Sequence, residues 1–501
     1  MCGISGIWSP ADADPTEATR LMFFALYALQ HRGQESAGIA ATDGRDLRVV
    51  RRMGLVGQVF SEPDLAVLGG RAAIGHTRYS TTGSSRIQNA QPMVVNADIG
   101  ELAIAHNGNC INARDLRDEL AAQGVRFATS SDTEVVAQMI AAEDGATWDE
   151  RIVRALPKLR GAWSLVMLTP TAVYAVRDPL GVRPLCLGRK GDAWLVASET
   201  CALDTIGAAF VRDVAPGEVL RIDDRGATGI ADFAADRRGL CVFEHVYLAS
   251  ASSDLGGVSV YATRERMGET LAEEHPAAAD VVIPVPDSAI PAAVGYARRS
   301  GIPFREGLIK NRYIGRTFIQ PSPELRKQGV ALKYNALRDV LQDKRVVVVD
   351  DSIVRGSTSA PIVDLLRGHG AREVHLRICS PPIRHQCFFG VDMARRDDLI
   401  ASRMDIESIR KHIGADSLGY LSLEGMPTSA SPSRTRCGPR ILARSTAPTR
   451  KPARSYASAA YMPGISAVSP PRSAVPERAH ASAIAPTTRA KTGGSIREVA
   501  K

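Results

Sequence analysis

One stretch, RVVVVDDSIVRGSTS at 345–359, restricts the fold of this chain more than any other. Its apolar run is too short to cross a membrane and lacks alternating polar positions, so it predicts a strand buried on both faces of a parallel sheet. Two acids end that strand, and a loop with one glycine leads into a helix-like segment, SAPIVDLLRGHG (359–370). Such a loop surrounds a phosphate-sized anion with backbone N–H groups and a helix N-terminus.

The surrounding sequence, 240–425, repeats the same alternation of apolar strands and amphipathic helices. Further strands are predicted at ADVVIPV (279–285), FREGLI (304–309) and VHLRIC (374–379). Strands alternating with helices indicate an α/β domain with a parallel sheet covered on both faces.

Residues 2–235 have a different pattern, with short alternating strands separated by turn residues, as in GAWSLVML (161–168) and AVYAVRD (172–178). They predict an antiparallel sheet interrupted by two helices, and so an α+β domain. The first helix follows Asp14-Pro15 and is predicted to share one face among Leu21, Phe24, Ala25, Ala28 and Leu29. The second is predicted to begin with Asp132 as its N-cap and to bury Val135, Val136, Met139 and Ile140.

Residues 427–501 hold 13 Lys and Arg and two acids, so this tail carries the basicity of a chain with net charge +8. The near-neutral remainder argues against nucleic-acid binding by the folded part. Low in large apolar residues, the tail is predicted to be disordered. Its Ala, Arg, Pro, Ser and Thr bias also fits a GC-rich frame translated out of register, so we predict a frame change after Gly425, with a DNA-binding arm as the alternative.

Neither a signal-peptide pattern nor an apolar run of membrane-spanning length occurs in the sequence, and its eight cysteines are scattered. These features predict a cytoplasmic protein without a disulfide framework.

The chain opens with MCGISGIW, which places a thiol at Cys2, directly after Met1. If Met1 is removed, Cys2 carries a nucleophile and an α-amine that serves as its base, with ordinary pKa values near about 8.5 and about 8. A small hydrophobic residue at the start of a strand is the structural alternative, and position alone does not decide between them.

Four polar clusters in the first domain suit a site that holds a small zwitterionic amide beside Cys2: HRGQESAG (31–38), GHTRYSTTG (75–83), HNGN (106–109) and SSDTE (130–134). Arg78 is suited to bind an α-carboxylate and Asp132 an α-ammonium. Asn107 with the Gly108 N–H is suited to stabilise an oxyanion. A helix cap at Asp132 and a turn at Asn107-Gly108 are the structural alternatives; as a set with Cys2, the residues favour the functional interpretation.

Together these motifs resemble the class II glutamine amidotransferase domain, which has an N-terminal-nucleophile fold of four αββα layers. The resemblance implies that Cys2 attacks the side-chain amide of glutamine and that its own amine relays the proton. It also implies that Arg78 and Asp132 bind the ends of glutamine, and that Asn107 and Gly108 form the oxyanion hole.

In the second domain, Asp350 and Asp351 stand at a strand end, where carboxylates reach ribose hydroxyls or a bound Mg²⁺. A response-regulator-like acidic pair is the structural alternative. The stretch resembles the phosphoribosyl pyrophosphate (PRPP) motif of type I phosphoribosyltransferases. That resemblance implies Mg²⁺ near Ser288, Asp350 and Asp351, and PRPP contacts from Asp350, Asp351, Arg355, Gly356, Ser357 and Thr358. The basic loop KNRYIGRTFIQP (310–321) adds Lys310, Arg312 and Arg316 as candidate pyrophosphate contacts, with a solvated loop as the alternative.

The order of the two domains is similar to that of the amidophosphoribosyltransferase family, over Cys2 to about Gly425. The resemblance implies glutamine and PRPP as substrates, feedback purine nucleotides and a homo-oligomer, either dimer or tetramer. Two departures stand out. YLASASSD (247–254) replaces the usual YFARPDS, and the four cysteines of a [4Fe–4S] cluster are reduced to Cys241, Cys387 and Cys437. Three thiolates are one short, so we predict that the cluster is absent.

Two other functions compete at this point. A glutamine-dependent hexosamine or asparagine synthase shares the N-terminal motifs but has no use for VVVVDDSIVRGSTS. A PRPP-sensing regulator that binds nucleic acid through the tail has no use for Cys2 as a nucleophile.

Overall fold

The structure is a computed structural model that describes residues 1–80, 83–236, 238–311, 313, 332–393 and 395–426. Arg312, Arg316, Cys437 and the tail 427–501 therefore lie outside the described residues, as does most of the loop 310–333. Among the helices that are described, none combines the length and the apolar character needed to traverse a lipid bilayer.

The first half of the chain contains thirteen strands and seven α-helices within the described residues. The strands are β1 (Gly3–Trp8), β2 (Ser36–Thr42), β3 (Leu47–Met53), β4 (Ala72–Arg78), β5 (Met93–Ala97), β6 (Gly100–Cys110), β7 (Gly161–Thr169), β8 (Ala172–Arg177), β9 (Cys186–Lys190), β10 (Ala193–Ala197), β11 (Ala209–Asp213), β12 (Glu218–Asp223) and β13 (Gly226–Asp232). The helices are α1 (Glu17–Ala28), α2 (Val56–Val59), α3 (Glu62–Leu68), α4 (Ala113–Ala122), α5 (Asp132–Ala142), α6 (Trp148–Ala155) and α7 (Thr200–Thr205).

These strands form two antiparallel sheets that pack face to face. The seven-stranded sheet has the order β11-β9-β10-β1-β4-β2-β3, and the six-stranded sheet has the order β13-β12-β8-β7-β6-β5. Ile4 and Ile74 from one sheet and Val166 from the other belong to the apolar core between them. Helices cover both outer faces, with α1, α2, α3 and α7 on the first sheet and α4, α5 and α6 on the second. The predicted four-layer αββα fold is confirmed.

The sequence predicted the buried face of α5 correctly and that of α1 only in part. In α5, Val135, Val136, Met139 and Ile140 are all buried, as predicted. In α1 the prediction was partly wrong, because Phe24 is 51% exposed and Leu21 only half-buried. The buried face of α1 instead consists of Ala18, Thr19, Met22, Ala25 and Leu26, with Leu29 just beyond its end. Both faces satisfy the helical period, so periodicity did not distinguish them.

The second half begins with a π-helical turn at Glu244–Leu248. Its strands are β14 (Asp254–Leu255), β15 (Val258–Ser259), β16 (Val281–Pro284), β17 (Leu308–Lys310), β18 (Tyr334–Ala336), β19 (Arg345–Asp350), β20 (Glu373–Ile378) and β21 (Ser417–Tyr420). Its α-helices are α8 (Val260–Glu274), α9 (Ile290–Ser300), α10 (Arg338–Leu341), α11 (Ser359–Gly368), α12 (Ile400–Arg403) and α13 (Ile406–Ile413).

The central sheet of this half is parallel, with the order β16-β19-β20-β21, and this confirms the predicted fold class. Successive residues of β19 alternate between two apolar cores: Val346 and Val348 belong to one, and Val347 and Val349 to the other. FREGLI (304–309) was only partly correct as a predicted strand, because its last two residues begin β17, which does not join the parallel sheet. Phe304 makes a single parallel bridge to Val282, and β17 turns away to pair antiparallel with β18.

Helices α8 and α9 pack so closely that two positions admit only glycine. A Cβ at Gly268 would lie 1.8 Å from the Ala292 carbonyl oxygen, and one at Gly295 would lie 1.9 Å from that of Glu265. Backbone is therefore in contact with backbone at this crossing, and neither side has a flexible side chain that could yield.

We expect Gly268→Ala to lower the free energy of unfolding by about 3 kcal/mol, because the added methyl must push the two helices apart. Gly368→Ala is the matched control, since a Cβ at this last residue of α11 would have no neighbour within 4 Å. It should change stability by no more than about 0.5 kcal/mol. Urea unfolding of both variants measures the difference, and equal midpoints would contradict the close-packing account.

Candidate active sites

Cys2 is buried immediately before β1, where three separate segments of the first half contact it. Its backbone N–H donates to Asn107 Oδ1 at 3.2 Å, and its carbonyl accepts from Arg32 Nε at 2.9 Å. Its Sγ lies 3.5 Å from both the backbone N and the backbone O of Tyr79. The thiol is thus held in place from its main chain, and not merely packed as a small hydrophobic group.

Asn107 and Gly108 lie within β6, paired with Ser164 and Trp163 of β7, so the alternative that they form a turn is wrong. Asn107 is completely buried, and its Nδ2 has no hydrogen-bond partner among the described residues. A buried amide donor left without a partner costs free energy, so its presence beside Cys2 points to an acceptor that arrives with a ligand.

Gly108 has a φ of +146°, a conformation that favours glycine. A Cβ at this position would lie 2.1 Å from the Ala162 carbonyl oxygen on the neighbouring strand. Glycine is therefore required at position 108 both by its positive φ and by the close approach of the Ala162 carbonyl. The backbone of β6 can thus pass beside Cys2.

Arg78 ends β4 with its side chain buried, yet its ion pair is loose. Its Nη1 lies 3.4 Å from Glu35 Oε2 and donates to the Ser84 carbonyl at 3.2 Å. The planar guanidinium group is suited to bind a carboxylate, and its Glu35 contact lies beyond the ordinary length of a charge-assisted hydrogen bond.

Asp132 is the first residue of α5, and its predicted role as the N-cap is wrong. Ser131 is the cap, because its extended backbone lets its side chain accept from the Thr133 N–H at 3.2 Å. Asp132 Oδ2 instead accepts from the Cys110 N–H at 3.1 Å and lies 3.7 Å from His106 Nδ1. Because Ser131 caps the helix, the Asp132 carboxylate does not, and it is available for another role at the candidate site.

A buried charge network behind Cys2 was not predicted from the sequence. Arg32 donates to Glu199 and, at 2.9 Å, to Glu244, while Arg183 donates to Glu244 at 3.1 Å. Although burial acts to raise it, the two guanidinium groups hold the pKa of the Glu244 carboxyl below its ordinary value. HRGQ drew attention to residue 32, but no sequence signal tied it to acids 167 and 212 positions away.

The stretch YLASASSD (247–254), which departs from the usual family sequence, takes part in this charge network. The Ser250 N–H donates to Glu199 Oε2 at 2.8 Å, and the Ser253 hydroxyl donates to the same oxygen at 2.7 Å. The serines therefore bind an acid of the first half, which gives this segment a structural role of its own.

The second site lies at the carboxyl end of β19, as predicted. Asp350 and Asp351 follow each other there, and Asp351 Oδ2 accepts from the Ser288 hydroxyl at 2.5 Å. Burial, and then the charge of Asp351, raises the pKa of the Asp350 carboxyl well above its ordinary value. Burial also raises the pKa of Asp351. A buried carboxylate at Asp350 and a partly buried one at Asp351, with a hydroxyl nearby, form a set of hard oxygen donors that a divalent cation would stabilise.

Two lysines lie near this site, and one of them, Lys333, acts on the acidic pair. Lys310 pairs with Asp287, and the partly buried Lys333 lies near Asp350 and Asp351. Burial and then the Lys310 ammonium lower the pKa of Lys333. Sequence analysis missed Lys333, because it falls between the basic loop and the next strand without a motif of its own.

The loop before α11 has the form expected of an anion site. Gly356 adopts a φ of +76°, and a Cβ there would lie 2.8 Å from Ile400 Cδ1. Within the described part of the chain, no carbonyl accepts from the N–H groups of Gly356, Ser357 or Thr358. Arg355 lies 3.8 Å from Asp398. These N–H groups remain available to an anion at the start of a ten-residue helix.

Of the three candidate cluster ligands, Cys241 and Cys387 are buried in one apolar cluster with Met1, and Cys437 lies outside the described residues. Burial raises the pKa of Cys241 to about 11, although Arg183 acts to lower it. The other cysteines that the structure describes belong to different surroundings. The donor set does not fit a cluster that requires four thiolates.

Comparison with known proteins identifies the same two halves. A family model of a glutamine amidotransferase domain matches residues 76–205, and one of a phosphoribosyl transferase domain matches residues 262–379. A Methanothermobacter thermautotrophicus protein named amidophosphoribosyltransferase is 50% identical over 431 residues, 85% of this chain and 90% of that protein. The Bacillus subtilis protein of the same name is 48% identical over 426 residues, 85% of this chain and 88% of that one.

Solved structures agree with these matches. A structure described as glutamine phosphoribosylpyrophosphate (PRPP) amidotransferase from B. subtilis complexed with ADP and GMP aligns with a TM-score of 0.80 and 47% identity. The alignment covers 86% of this chain and 92% of that one.

The unpartnered amide of Asn107 leads to a prediction. Asn107→Asp keeps an oxygen for the Cys2 nitrogen but removes the Nδ2 donor, so we expect kcat for glutamine hydrolysis to fall by about 10²–10³-fold. The exposed Asn96→Asp in β5 is the control and should retain activity. Steady-state glutamate release measures both, and an Asn107→Asp variant as active as the control would contradict the assignment.

Proposed function

The chain belongs to the amidophosphoribosyltransferase family, and from this premise we propose how its residues divide the reaction. The reaction hydrolyses glutamine and transfers the ammonia to C1 of PRPP, giving 5-phosphoribosylamine, glutamate and pyrophosphate in the first committed step of purine biosynthesis. The phosphoribosyltransferase match contradicts a hexosamine or asparagine synthase, which would have no such half.

We propose that glutamine is attacked at Cys2 after removal of Met1. The Cys2 nitrogen, here a peptide N–H, stands in for the free α-amine, and its contact with Asn107 Oδ1 supports that role. The amine takes the thiol proton as sulfur bonds to the amide carbon, and it returns a proton to the leaving ammonia. Water then hydrolyses the glutamyl thioester to glutamate. Asn107 Nδ2 and the Gly108 N–H stabilise the oxyanion in both steps.

Glutamine is held at both ends in this proposal. Arg78 binds the α-carboxylate and exchanges its 3.4 Å contact with Glu35 for a closer one. Asp132 binds the α-ammonium with the oxygen that its backbone contact at Cys110 leaves free. Arg78 comes from β4, a strand of the first sheet, and Asp132 comes from α5, a helix that packs on the second sheet. The stacking of the two sheets therefore sets the distance between the two groups, and with it the length of the amino acid that fits.

PRPP binding is proposed at the carboxyl end of β19. Asp350 and Asp351 bind the ribose hydroxyls, and the loop of Arg355, Gly356, Ser357 and Thr358 holds the 5-phosphate through its N–H groups. Lys310 and Lys333 bind the pyrophosphate that leaves, and Arg312 and Arg316 stay predictions outside the described residues.

Mg²⁺ fits this site, because Ser288, Asp350 and Asp351 offer three oxygen donors among buried acids. When bound with PRPP, the ion would neutralise charge on the pyrophosphate as the bond to C1 breaks. A [4Fe–4S] cluster needs four thiolates, and its three candidate ligands are Cys241 and Cys387 among the described residues and Cys437 outside them, so the mechanism proposed for this chain includes no step through one.

Further proposals follow from the family. Ammonia passes internally between the sites, because most free ammonia would become protonated in water at neutral pH. Purine nucleotides regulate the enzyme, as the ADP and GMP in the related structure suggest. A homo-oligomer and a cytoplasmic location stay predictions.

The contact of the Cys2 nitrogen with Asn107 carries this proposal, and one substitution tests it. We expect Cys2→Ser to abolish glutamine-dependent synthesis while sparing synthesis from ammonium, because the ribosyl site lies in the other half of the chain. Cys186→Ser, at another buried thiol in β9, is the matched control and should retain both activities. Pyrophosphate release with each nitrogen source measures them, and glutamine use by Cys2→Ser would overturn the assignment.

A second prediction concerns the acidic pair. Asp350→Asn/Asp351→Asn should reduce synthesis from glutamine and from ammonium alike by about 10²-fold or more, because both need the same ribosyl site. Asp364→Asn, at an exposed position of α11, should leave both unchanged. Mg²⁺-dependent PRPP binding, measured by calorimetry, should weaken in the double variant only, and wild-type affinity in that variant would refute the site.

A further inference from the structure

One segment of the second half, residues 387–393, lies directly against the proposed oxyanion strand of the first half. A Cβ at Gly390 would lie 3.0 Å from both the carbonyl carbon and the oxygen of Gly108. Gly390 also adopts a φ of +100°, which favours glycine. Gly390 therefore packs against the carbonyl side of Gly108, the residue whose N–H is the proposed oxyanion donor.

Three side chains of the first half hydrogen-bond to the same segment. Asn109 Nδ2, one residue beyond Gly108, donates to the Phe388 carbonyl at 2.8 Å. The buried Arg183 donates through Nε to the Phe389 carbonyl at 3.1 Å. The Tyr79 hydroxyl donates to Asp392 at 3.3 Å, and the Tyr79 backbone contacts Cys2 Sγ.

The chain that follows reaches the phosphate loop of the second site. The Ile400 N–H donates to the Val354 carbonyl at 2.9 Å, and its side chain fills the space beside Gly356. Asp398 lies 3.8 Å from Arg355. A short run of sequence on either side of residue 394, which lies outside the described residues, therefore contacts both candidate sites.

We propose that the 387–393 segment positions the oxyanion strand, so that glutamine hydrolysis in the first half depends on residues of the second. Gly390 and the Phe388 carbonyl are the positioning groups, and they act through Gly108 and Asn109 without touching glutamine. The inference rests on the proposed function, because it takes the Gly108 N–H as an oxyanion donor. It assigns to a segment outside the amidotransferase match a role in that half of the reaction.

Oxyanion stabilisation depends on the direction of a donor to within fractions of an ångström, since the donor must fit the transition state better than bound glutamine. A methyl group at Gly390 would press on the Gly108 carbonyl group, and its three nearest atoms all belong to Gly108, not to Arg78 or Asp132. The proposal therefore predicts a lower kcat with little change in KM for glutamine. A segment that served only as an interface would affect both activities and stability together.

The test compares three variants of the full-length protein. Gly390→Ala adds the methyl, and Asn109→Ala removes the bond to Phe388 without adding volume. Gly368→Ala is the control, because a Cβ there has no neighbour within 4 Å. Each is assayed for glutamine hydrolysis and for ammonium-dependent synthesis. Iodoacetamide modification of Cys2, followed by peptide mass spectrometry, reports whether the thiol keeps its reactivity.

We expect Gly390→Ala and Asn109→Ala to lower kcat for glutamine hydrolysis by about tenfold or more, less than removal of a donor. KM for glutamine, synthesis from ammonium and Cys2 alkylation should stay within about twofold of wild type, as should all values for the control. If Gly390→Ala does not fold, Asn109→Ala decides the matter.

Wild-type glutamine hydrolysis in Asn109→Ala, or an equal loss of both activities, would overturn the inference. The Cys2→Ser variant separates failure of this inference from failure of the proposed function. If hydrolysis depends on Cys2 but not on Asn109 or Gly390, the inference alone fails. If hydrolysis does not depend on Cys2, the proposed function fails with it.

Discussion

The structure depends on fixing Cys2, immediately before β1, by contacts with three distant parts of the chain. The Cys2 N–H bonds to Asn107 on β6, its carbonyl to Arg32 beyond α1, and its thiol to Tyr79 beyond β4. These partners come from both sheets, so they meet only when the sheets stack on their shared apolar core. The position of Cys2 is therefore a product of tertiary packing, and its geometry can be no more stable than the four-layer domain.

Behind Cys2, the buried charges extend this constraint to the second half. Arg32 contacts Glu199 and Glu244, and Arg183 joins Glu244 to the Phe389 carbonyl. A buried charge is tolerated when it is paired, and removing one partner leaves the other in a medium that solvates it poorly. The halves are thus joined by charged groups that are costly to separate, and one of these groups, Arg32, contacts the Cys2 carbonyl.

Local patterns in the sequence were enough to predict the strand of Asp350 and Asp351, the helix that follows its loop and the α5 core, because each depends on a few consecutive residues. The same patterns placed the N-cap at Asp132, although the adjacent Ser131 satisfies the capping preference equally well. They also predicted that Phe24 is buried, although another face of α1 fits the helical period as well. Lys333 and the contact of Gly390 with Gly108 were missed entirely. Such contacts join distant parts of the chain, and one sequence carries no periodic signal for them.

The central claim is that a free N-terminal cysteine performs the glutamine chemistry. Peptide mass spectrometry of active enzyme, quenched in acid during turnover of glutamine, tests it most directly. The account predicts an N-terminal peptide that begins at Cys2 and carries a glutamyl group on its thiol. An N-terminal peptide that retains Met1 in fully active enzyme, or a glutamyl group on another cysteine, would contradict it.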